Sequence, residues 1–156
     1  MPNWNQNSLQ VSGLTPNQTT LMKEALEGEE FLETFIPSPD WKNIPNEEGV
    51  LPEERTHTHT NRLGETELST FLGWDKNGEW TSDDRWYDWR TKHWGTKWDI
   101  DGVGRIEEVD DELHCEFQTA WCPPLEAFKI ISSHFPLAYF FLSFFDVEPR
   151  RASKKA

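Results

Sequence analysis

The segment Trp86–Trp98, with the sequence WYDWRTKHWGTKW, contains four of the nine tryptophans in the chain. Basic residues are interleaved with these rings, and we expect Arg90, Lys92 and Lys97 to reach solvent. A large aromatic ring removes roughly 150–250 Å² of surface from water when it is buried. We therefore predict that this segment packs against the protein. Its expected partners are FQTAWCPP at 117–124 and the apolar segment that follows.

The chain begins with signals for a strand and then a helix. Residues 4–11 are predicted to form the strand. Thr15, Pro16 and Gln18 have the spacing of a helix start with a capping box, and Gly28 is a typical residue after a helix end. One β-strand followed by one α-helix is therefore predicted.

A proline- and tryptophan-rich segment separates these elements from the rest. Within it we predict an exposed edge or loop at 56–60, a short helix at 65–73, a turn at 76–78 and a helix at 85–93. The strand predicted at 113–121 is the clearest, because apolar and polar residues alternate along it. The other predicted elements are a strand at 96–106, an acidic turn at 107–112, a helix at 125–135 and a strand at 137–145.

Without the long segment, this order is β-α-β-β-α-β, which indicates an α+β protein with a ferredoxin-like split βαβ sandwich. We predict a single domain over residues 1–149, with a Trp/Pro-rich insertion at about 29–95 after the first helix. Residues 113–121 are predicted to be a central strand, and 150–156 a flexible basic tail. The last strand is apolar on both faces, so we expect the tryptophan-rich insertion to cover its second face.

The charge of the chain limits its possible partners. The net charge is −13, but the last seven residues, RRASKKA, carry four positive charges. Residues 1–149 are left with 11 Lys and Arg against 28 Asp and Glu, a net charge of −17. Such a body repels the phosphates of nucleic acids, so we expect a protein partner with a basic surface. No membrane partner is expected.

The sequence predicts a cytoplasmic protein. The start of the chain is polar and lacks the apolar region of a signal peptide, and no apolar run is long enough to span a membrane. Cys115 and Cys122 are seven residues apart, roughly 23 Å along an extended strand. A disulfide needs Cα atoms within about 7 Å, so none is expected between them. Free thiols fit a reducing compartment.

Three motifs together resemble a known family: MPNW at 1–4, WGTKWD at 94–99 and FQTAWCPP at 117–124. The chain resembles the YubB ferredoxin-like, or Api92-like, family of uncharacterised phage and plasmid proteins, over its start and about residues 84–145. The resemblance implies a ferredoxin-like core and a mobile-element origin, and it supplies no catalytic residues. The chain departs from the family pattern at Asn5, where cysteine is common, and at Cys122, where serine is common.

Catalytic and metal-binding chemistry has weak support, and we predict no catalytic residue, metal or cofactor. Zinc sites usually have ligand pairs such as C-x2-C or H-x3-5-H, and the His and Cys residues of this chain lack that spacing. His57 and His59 are the only pair worth inspecting. Cys122 has no base nearby in the sequence. Asp99 and Asp101 could work as an acid–base pair on one strand face, although a solvated strand edge is the commoner meaning of such a pair.

We therefore expect a small, acidic, non-enzymatic binding protein that engages a host or phage protein in the host cytoplasm. One alternative is a small-molecule-binding domain or an enzyme with a tryptophan-lined pocket. A second is a single-stranded nucleic-acid binder that uses the basic tail and the basic-aromatic segment. The weak candidates for binding residues are Arg90, Trp94, Lys97, Trp98, Trp121, Asp110 and Asp111.

Overall fold

The structure is a computed structural model that describes residues 3–146. Its strands are β1 (Trp4–Ser12), β2 (Glu53–Thr60), β3 (Thr66–Lys76), β4 (Glu79–Ser82), β5 (Glu107–Val109), β6 (Glu112–Ala120) and β7 (Tyr139–Asp146). Its helices are α1 (Pro16–Glu27), α2 (Phe31–Phe35), α3 (Arg85–His93) and α4 (Leu125–Ser133), with a 3-10 helix at Trp41–Asn43. None of the helices within residues 3–146 is both long enough and apolar enough to cross a membrane. The predicted basic tail at 150–156 lies outside the described residues.

The chain divides into two compact units. One contains the residues up to Pro37 and from Trp89 onward, and the other is Ser38–Asp88. The second unit falls inside the insertion predicted at about 29–95. That residues 1–149 form a single domain stays a prediction.

The first unit contains a four-stranded antiparallel sheet with the order β5-β6-β1-β7. Apart from the inserted residues, its elements follow one another as β1, α1, β5, β6, α4 and β7, the split βαβ arrangement. The ferredoxin-like α+β prediction is therefore confirmed. The strand predicted at 113–121 is β6, and it lies between β5 and β1 as expected of a central strand.

The start of α1 has the predicted capping box. Thr15 Oγ1 accepts a hydrogen bond from the Gln18 backbone N–H at 3.2 Å, and Gln18 Oε1 accepts one from the Thr15 N–H at 3.0 Å. Pro16 is the first helical residue, where its missing N–H costs no intrahelical hydrogen bond. Local sequence is therefore enough to fix where α1 begins.

The strand predicted at 96–106 is wrong. The one β-bridge of this segment joins Asp101 to Gln118. Gly104 adds a single backbone hydrogen bond to the Glu116 carbonyl at 2.8 Å, and Gly102 has a left-handed φ of +58°. The strand that precedes β6 is β5, which falls in the predicted acidic turn. A two-residue turn, Asp110-Asp111, joins the two strands with φ values of 51° and 65°. Asp tolerates this left-handed conformation better than most residues, which explains the Asp-Asp sequence.

The core lies on one face of the sheet. β1 and β6 alternate between buried and partly exposed residues, and Leu9, Val11 and Phe117 are among the buried ones. Phe128 of α4 stacks on Phe117 at 6.2 Å and on Phe31 at 5.9 Å, measured between ring centroids. These rings hold α4 and α2 against the sheet.

Within the first unit, the tryptophan segment does not cover the second face of β7. Tyr139, Phe141 and Phe145 remain 79%, 63% and 64% exposed. The tryptophan expected to lie over them, Trp94, belongs instead to the buried core. Its indole Nε1–H donates to the Ile36 carbonyl at 3.1 Å, so the ring is held within the core.

The second unit contains an antiparallel sheet with the order β2-β3-β4. The short helix predicted at 65–73 is wrong, because these residues form most of β3, which pairs with strands on both sides. The predicted exposed edge at 56–60 is confirmed as part of β2, and the predicted turn is confirmed by the positive φ of Asn77 and Gly78. The helix predicted at 85–93 is α3, which starts in this unit and ends in the other.

Candidate functional site

The three family-like motifs meet at one end of the four-stranded sheet. Thr96 Oγ1 donates to the carbonyl of Ala120, the last residue of β6, at 2.8 Å. The Trp94 carbonyl accepts a hydrogen bond from a backbone N–H of α4 at 3.2 Å. The Trp121 N–H donates to the Asn3 carbonyl at 2.7 Å. The motifs therefore join the first strand, the loop after α3 and the turn after β6 to one another.

The turn after β6 is built by buried polar side chains. Trp121 has a left-handed φ of 70°. Asn5 Nδ2 donates to the Trp121 carbonyl at 2.8 Å, and Thr119 Oγ1 donates to the Cys122 carbonyl at 2.7 Å. Asn7, which is fully buried, donates from Nδ2 to Thr119 Oγ1 at 3.0 Å. Asn5 and Cys122, two of the departures from the family pattern, thus both take part in holding this turn.

Cys115 and Cys122 are both free thiols in different surroundings. Cys115 is buried in β6, and Cys122 is exposed in the turn. Burial in the core raises the pKa of the Cys115 thiol to about 12, because a thiolate there would lose its hydration. Cys115 is therefore a core residue, whereas Cys122 is open to reagents.

Trp94, one of the candidate binding residues, does not reach the surface. Its side chain is 1% exposed, and its ring packs edge-on against Trp89 at 5.8 Å. Gly95, with a φ of +80°, allows the sharp turn that follows the ring. Packing of Trp94 as part of the scaffold is thus confirmed, and burial of its large ring stabilises the fold.

Arg90 and Lys97 lie beside tryptophan rings. The Arg90 guanidinium lies 4.9 Å from the Trp94 ring centre and donates to the Lys97 carbonyl at 3.4 Å. Burial lowers the pKa of Arg90, against the opposing influence of the Glu33 and Asp99 carboxylates. The Arg90 side chain is therefore partly exposed and partly buried, because it covers Trp94.

Trp98 and Lys97 belong to the same loop, and both are partly exposed. Lys97 Nζ lies 4.7 Å from the Trp98 ring centre, and Trp98 lies 6.3 Å from Trp4 of β1. Trp121 is 50% exposed just after β6, whose last residue pairs with Trp4. These aromatic candidates are therefore at one end of the sheet, on a partly open surface.

Asp99 has a structural role that the sequence did not indicate. Its carboxylate accepts backbone hydrogen bonds from Leu32 at 2.8 Å, Glu33 at 3.0 Å and Ile100 at 2.8 Å. Burial raises the pKa of Asp99, although these three bonds favour the charged form and oppose that shift. Asp101 instead accepts from the Gly102 N–H. The two carboxylates are thus occupied with different backbone groups.

Asp110 and Asp111 lie at the opposite end of β6 from Trp121, roughly 30 Å away for a nine-residue strand. They line a hollow with a volume of about 960 Å³. Glu108 and Glu112 also line this acidic groove, and the start of α1 forms its other wall. Lys23 of α1 lies 3.6 Å from Glu108 and offsets part of the charge. The sequence identifies the acidic cluster but not the helical wall, because that wall is brought near only by the fold.

A second hollow, of about 330 Å³, lies in the unit Ser38–Asp88, and Trp41, Trp86 and Asp83 are among its lining residues. Asp83 is buried, and its two oxygens each accept a bond from the Arg85 guanidinium at 2.8 Å. These hydrogen bonds lower the pKa of Asp83 and raise that of Arg85. Arg85 also lies 4.9 Å from the Trp41 ring. The buried charge of this hollow is therefore already paired.

Within residues 3–146, no group of three or more His, Cys, Asp and Glu side chains is arranged to hold a metal ion. His57 and His59, the pair singled out from the sequence, lie on the exposed strand β2. His59 Nε2 is 3.2 Å from a carboxylate oxygen of Glu67 on β3. This histidine therefore has an acidic neighbour across the strand pair.

Residues 77–148 match the family model of the ferredoxin-like domain in Api92-like protein. The resemblance to the Api92-like family is thereby confirmed over this segment, which runs from the turn before β4 through β7. Two of the three motifs, WGTKWD and FQTAWCPP, lie within it. No curated protein and no solved structure significantly matches the chain.

Proposed function

We propose that this protein is a small, non-enzymatic binding protein of phage or mobile-element origin. It acts in the cytoplasm of the host cell and engages a host or phage protein that has a basic surface. The observation that carries the proposal is the acidic groove, in which Glu108, Asp110, Asp111 and Glu112 face the start of α1.

The charges of the groove favour a partner rich in Lys and Arg. Four carboxylates line one hollow on a body with a net charge of −17 over residues 1–149. A field of this sign speeds the approach of basic surfaces and repels phosphate groups. Exposed charges are screened over about 8 Å at physiological salt, so the first contact depends on ionic strength.

The two alternatives have less support. A pocket at Trp94, Lys97, Trp98 and Trp121 would need the Trp94 ring to be accessible, and that ring is buried. A single-strand binder needs a positive groove beside its aromatic platform, whereas the large hollow of the first unit is acidic. Binding to a basic protein is therefore the proposal that we develop.

The test compares a charge-neutralised groove with a matched control. Asn replaces Asp in the double variant Asp110→Asn/Asp111→Asn because Asn also tolerates the left-handed φ of both positions. The control, Glu53→Gln/Glu54→Gln, removes two charges from exposed positions of the other unit. Any difference between the variants then reports on position and not on total charge.

The wild type, the groove variant and the control are each immobilised and used to capture proteins from host lysate at about 50 mM and about 300 mM salt. The rate at which the captured partner associates with each of the three is then measured. We expect the wild type and the control to bind at low salt and to associate more slowly at high salt. The groove variant should associate about tenfold more slowly at low salt, with an unchanged melting temperature. Binding that neither salt nor the Asp variant alters would contradict the proposal.

A further inference from the structure

β7 is an edge strand without the features that usually protect an edge. In the order β5-β6-β1-β7 its only neighbour among residues 3–146 is β1. The strand, YFFLSFFD, contains no proline, and its single charged residue is the last one, Asp146. Natural proteins usually protect such edges with charged residues, proline or bulges, because open N–H and C=O groups recruit another strand.

The exposed rings lie on both faces of β7. The register with β1 places Tyr139, Phe141 and Phe145 opposite the partly exposed residues Ser12, Gln10 and Gln6, on the open face of the sheet. Phe144 pairs with buried Asn7 and therefore lies on the core face, yet it is 45% exposed. A partner lying flat on the open face would not cover Phe144. A strand added to the edge would cover residues of both faces.

The charge distribution indicates which strand can be added. β1 and β7 together contain one charged residue, Asp146, in a body whose net charge is −17 over residues 1–149. Two copies of this acidic protein therefore have few like charges to bring together along this edge. A basic partner would gain little here, because the edge offers almost no opposite charge.

We propose that β7 pairs with β7 of a second copy of this chain, which joins the two sheets into one of eight strands. Antiparallel pairing about a two-fold axis centred on Leu142 places Phe140 opposite Phe144 of the second copy and Tyr139 opposite Phe145. An aromatic pair thus forms on each face, and Phe141 lies opposite Ser143 of the second copy, so the interface is self-complementary. The two Asp146 side chains lie at opposite ends of this interface.

The first test is the mass in solution as a function of concentration, measured by sedimentation equilibrium. We expect the wild type to shift from 18.3 kDa to twice that mass, with a dissociation constant on the order of 10 µM for so small an interface. Phe141→Glu should weaken the dimer at least about 100-fold, because a two-fold interface contains the change twice and each loss is worth about tenfold.

The control is Leu63→Glu, an equally drastic change at an 81% exposed position in the turn between β2 and β3, and it should dimerise like the wild type. Ser143→Lys is a second edge variant that keeps every aromatic ring, and it should also weaken the dimer. The circular dichroism spectra of all variants should match that of the wild type. A wild type that stays at 18.3 kDa up to about 300 µM would overturn the proposal.

Hydrogen exchange identifies the mode of pairing. Alternate amides of β7 point away from β1, and pairing should protect these amides in the dimer but not in the Phe141→Glu variant. A dimer that leaves them unprotected associates through another surface, and protection in a monomeric wild type means that another segment of the same chain covers the edge. Either result would refute pairing of two β7 strands. None of these variants alters the acidic groove, so the outcome is independent of the proposed function.

Discussion

Replacing Trp94 by Ala is the most direct test of how this fold is held together. Trp94 is the only one of the four tryptophans in Trp86–Trp98 that is buried, and it contacts three other parts of the chain. Its Nε1–H binds the Ile36 carbonyl, its own carbonyl binds the N–H of Ala127 in α4, and its ring supports Trp89. Removal of the ring should loosen the packing at Ile36 and Trp89, whereas the backbone hydrogen bond to α4 is kept.

The expected loss is large compared with the stability of a small protein. Truncation of a buried Trp to Ala costs about 3–5 kcal/mol, because the surroundings fill the cavity only partly. The Ile36 carbonyl would also lose its donor, which adds about 1–3 kcal/mol if the oxygen stays buried. Since such terms do not add fully, we expect a loss of about 4–6 kcal/mol in the free energy of unfolding, against a total of about 5–15 kcal/mol.

Urea unfolding followed by circular dichroism measures this loss. Trp94→Phe keeps most of the apolar contact but not the N–H donor, so it should lose about 1–3 kcal/mol. Trp121→Ala is the control: the side chain is 50% exposed, and Trp and Ala are equally strained at its φ of 70°. It should lose about 1 kcal/mol. A Trp94→Ala variant within about 1 kcal/mol of the wild type would refute the packing argument.

Three further predictions follow from burial and backbone conformation. Because burial raises the pKa of Cys115 to about 12, only Cys122 should react with a thiol reagent at pH 8 in the folded protein, and two rapidly reacting thiols would contradict this. Asp83→Asn should lower the melting temperature most near pH 7 and least near pH 3. The hydrogen bonds from Arg85 that lower the pKa of Asp83 in the folded protein stabilise the fold at pH values above the unfolded-state pKa of about 3.9. This stabilisation is lost as the pH falls through the folded-state pKa. Gly95→Ala should destabilise more than Gly49→Ala in thermal melts. Both glycines have φ near +80°, but an added Cβ meets a backbone nitrogen of α4 at 3.2 Å only at Gly95, so equal losses would contradict the close contact.

The parts of the fold that were predictable are those that local physics determines. The capping box fixes the start of α1, and the burial of alternate residues marks β6, so both were readable from the sequence. The strand β5 gives no such signal, because its three residues are exposed and two of them are glutamates. For the same reason β3, with most of its residues exposed, has no two-residue periodicity, and its sequence does not predict a strand.

The candidate site was predictable as a set of residues but not as an arrangement. The Asp110-Asp111 sequence identified the acidic turn, yet the wall that faces it belongs to α1, almost one hundred residues earlier. The basic-aromatic segment looked like a surface, but Trp94 is buried and Arg90 covers it. Asp99 looked like half of an acid–base pair and instead binds the backbone of α2. Each of these roles depends on a contact between residues far apart in sequence.

The two proposed surfaces lie on opposite edges of the same sheet, and this has a consequence for binding. The acidic groove adjoins β5 and β6, whereas β7 is the other edge strand. In a dimer paired through β7, the two β5 strands would lie at the ends of eight strands, seven intervals of about 4.8 Å apart, or about 34 Å. Because the pairing is antiparallel, the two acidic grooves would lie at opposite ends of the strands as well as at opposite edges of the sheet, so they would be more than about 34 Å apart. A partner with basic sites at this separation would bind the dimer more tightly than the monomer, because the second contact forms within the complex. Phe141→Glu should therefore reduce the affinity for such a partner while leaving the affinity of a single groove unchanged.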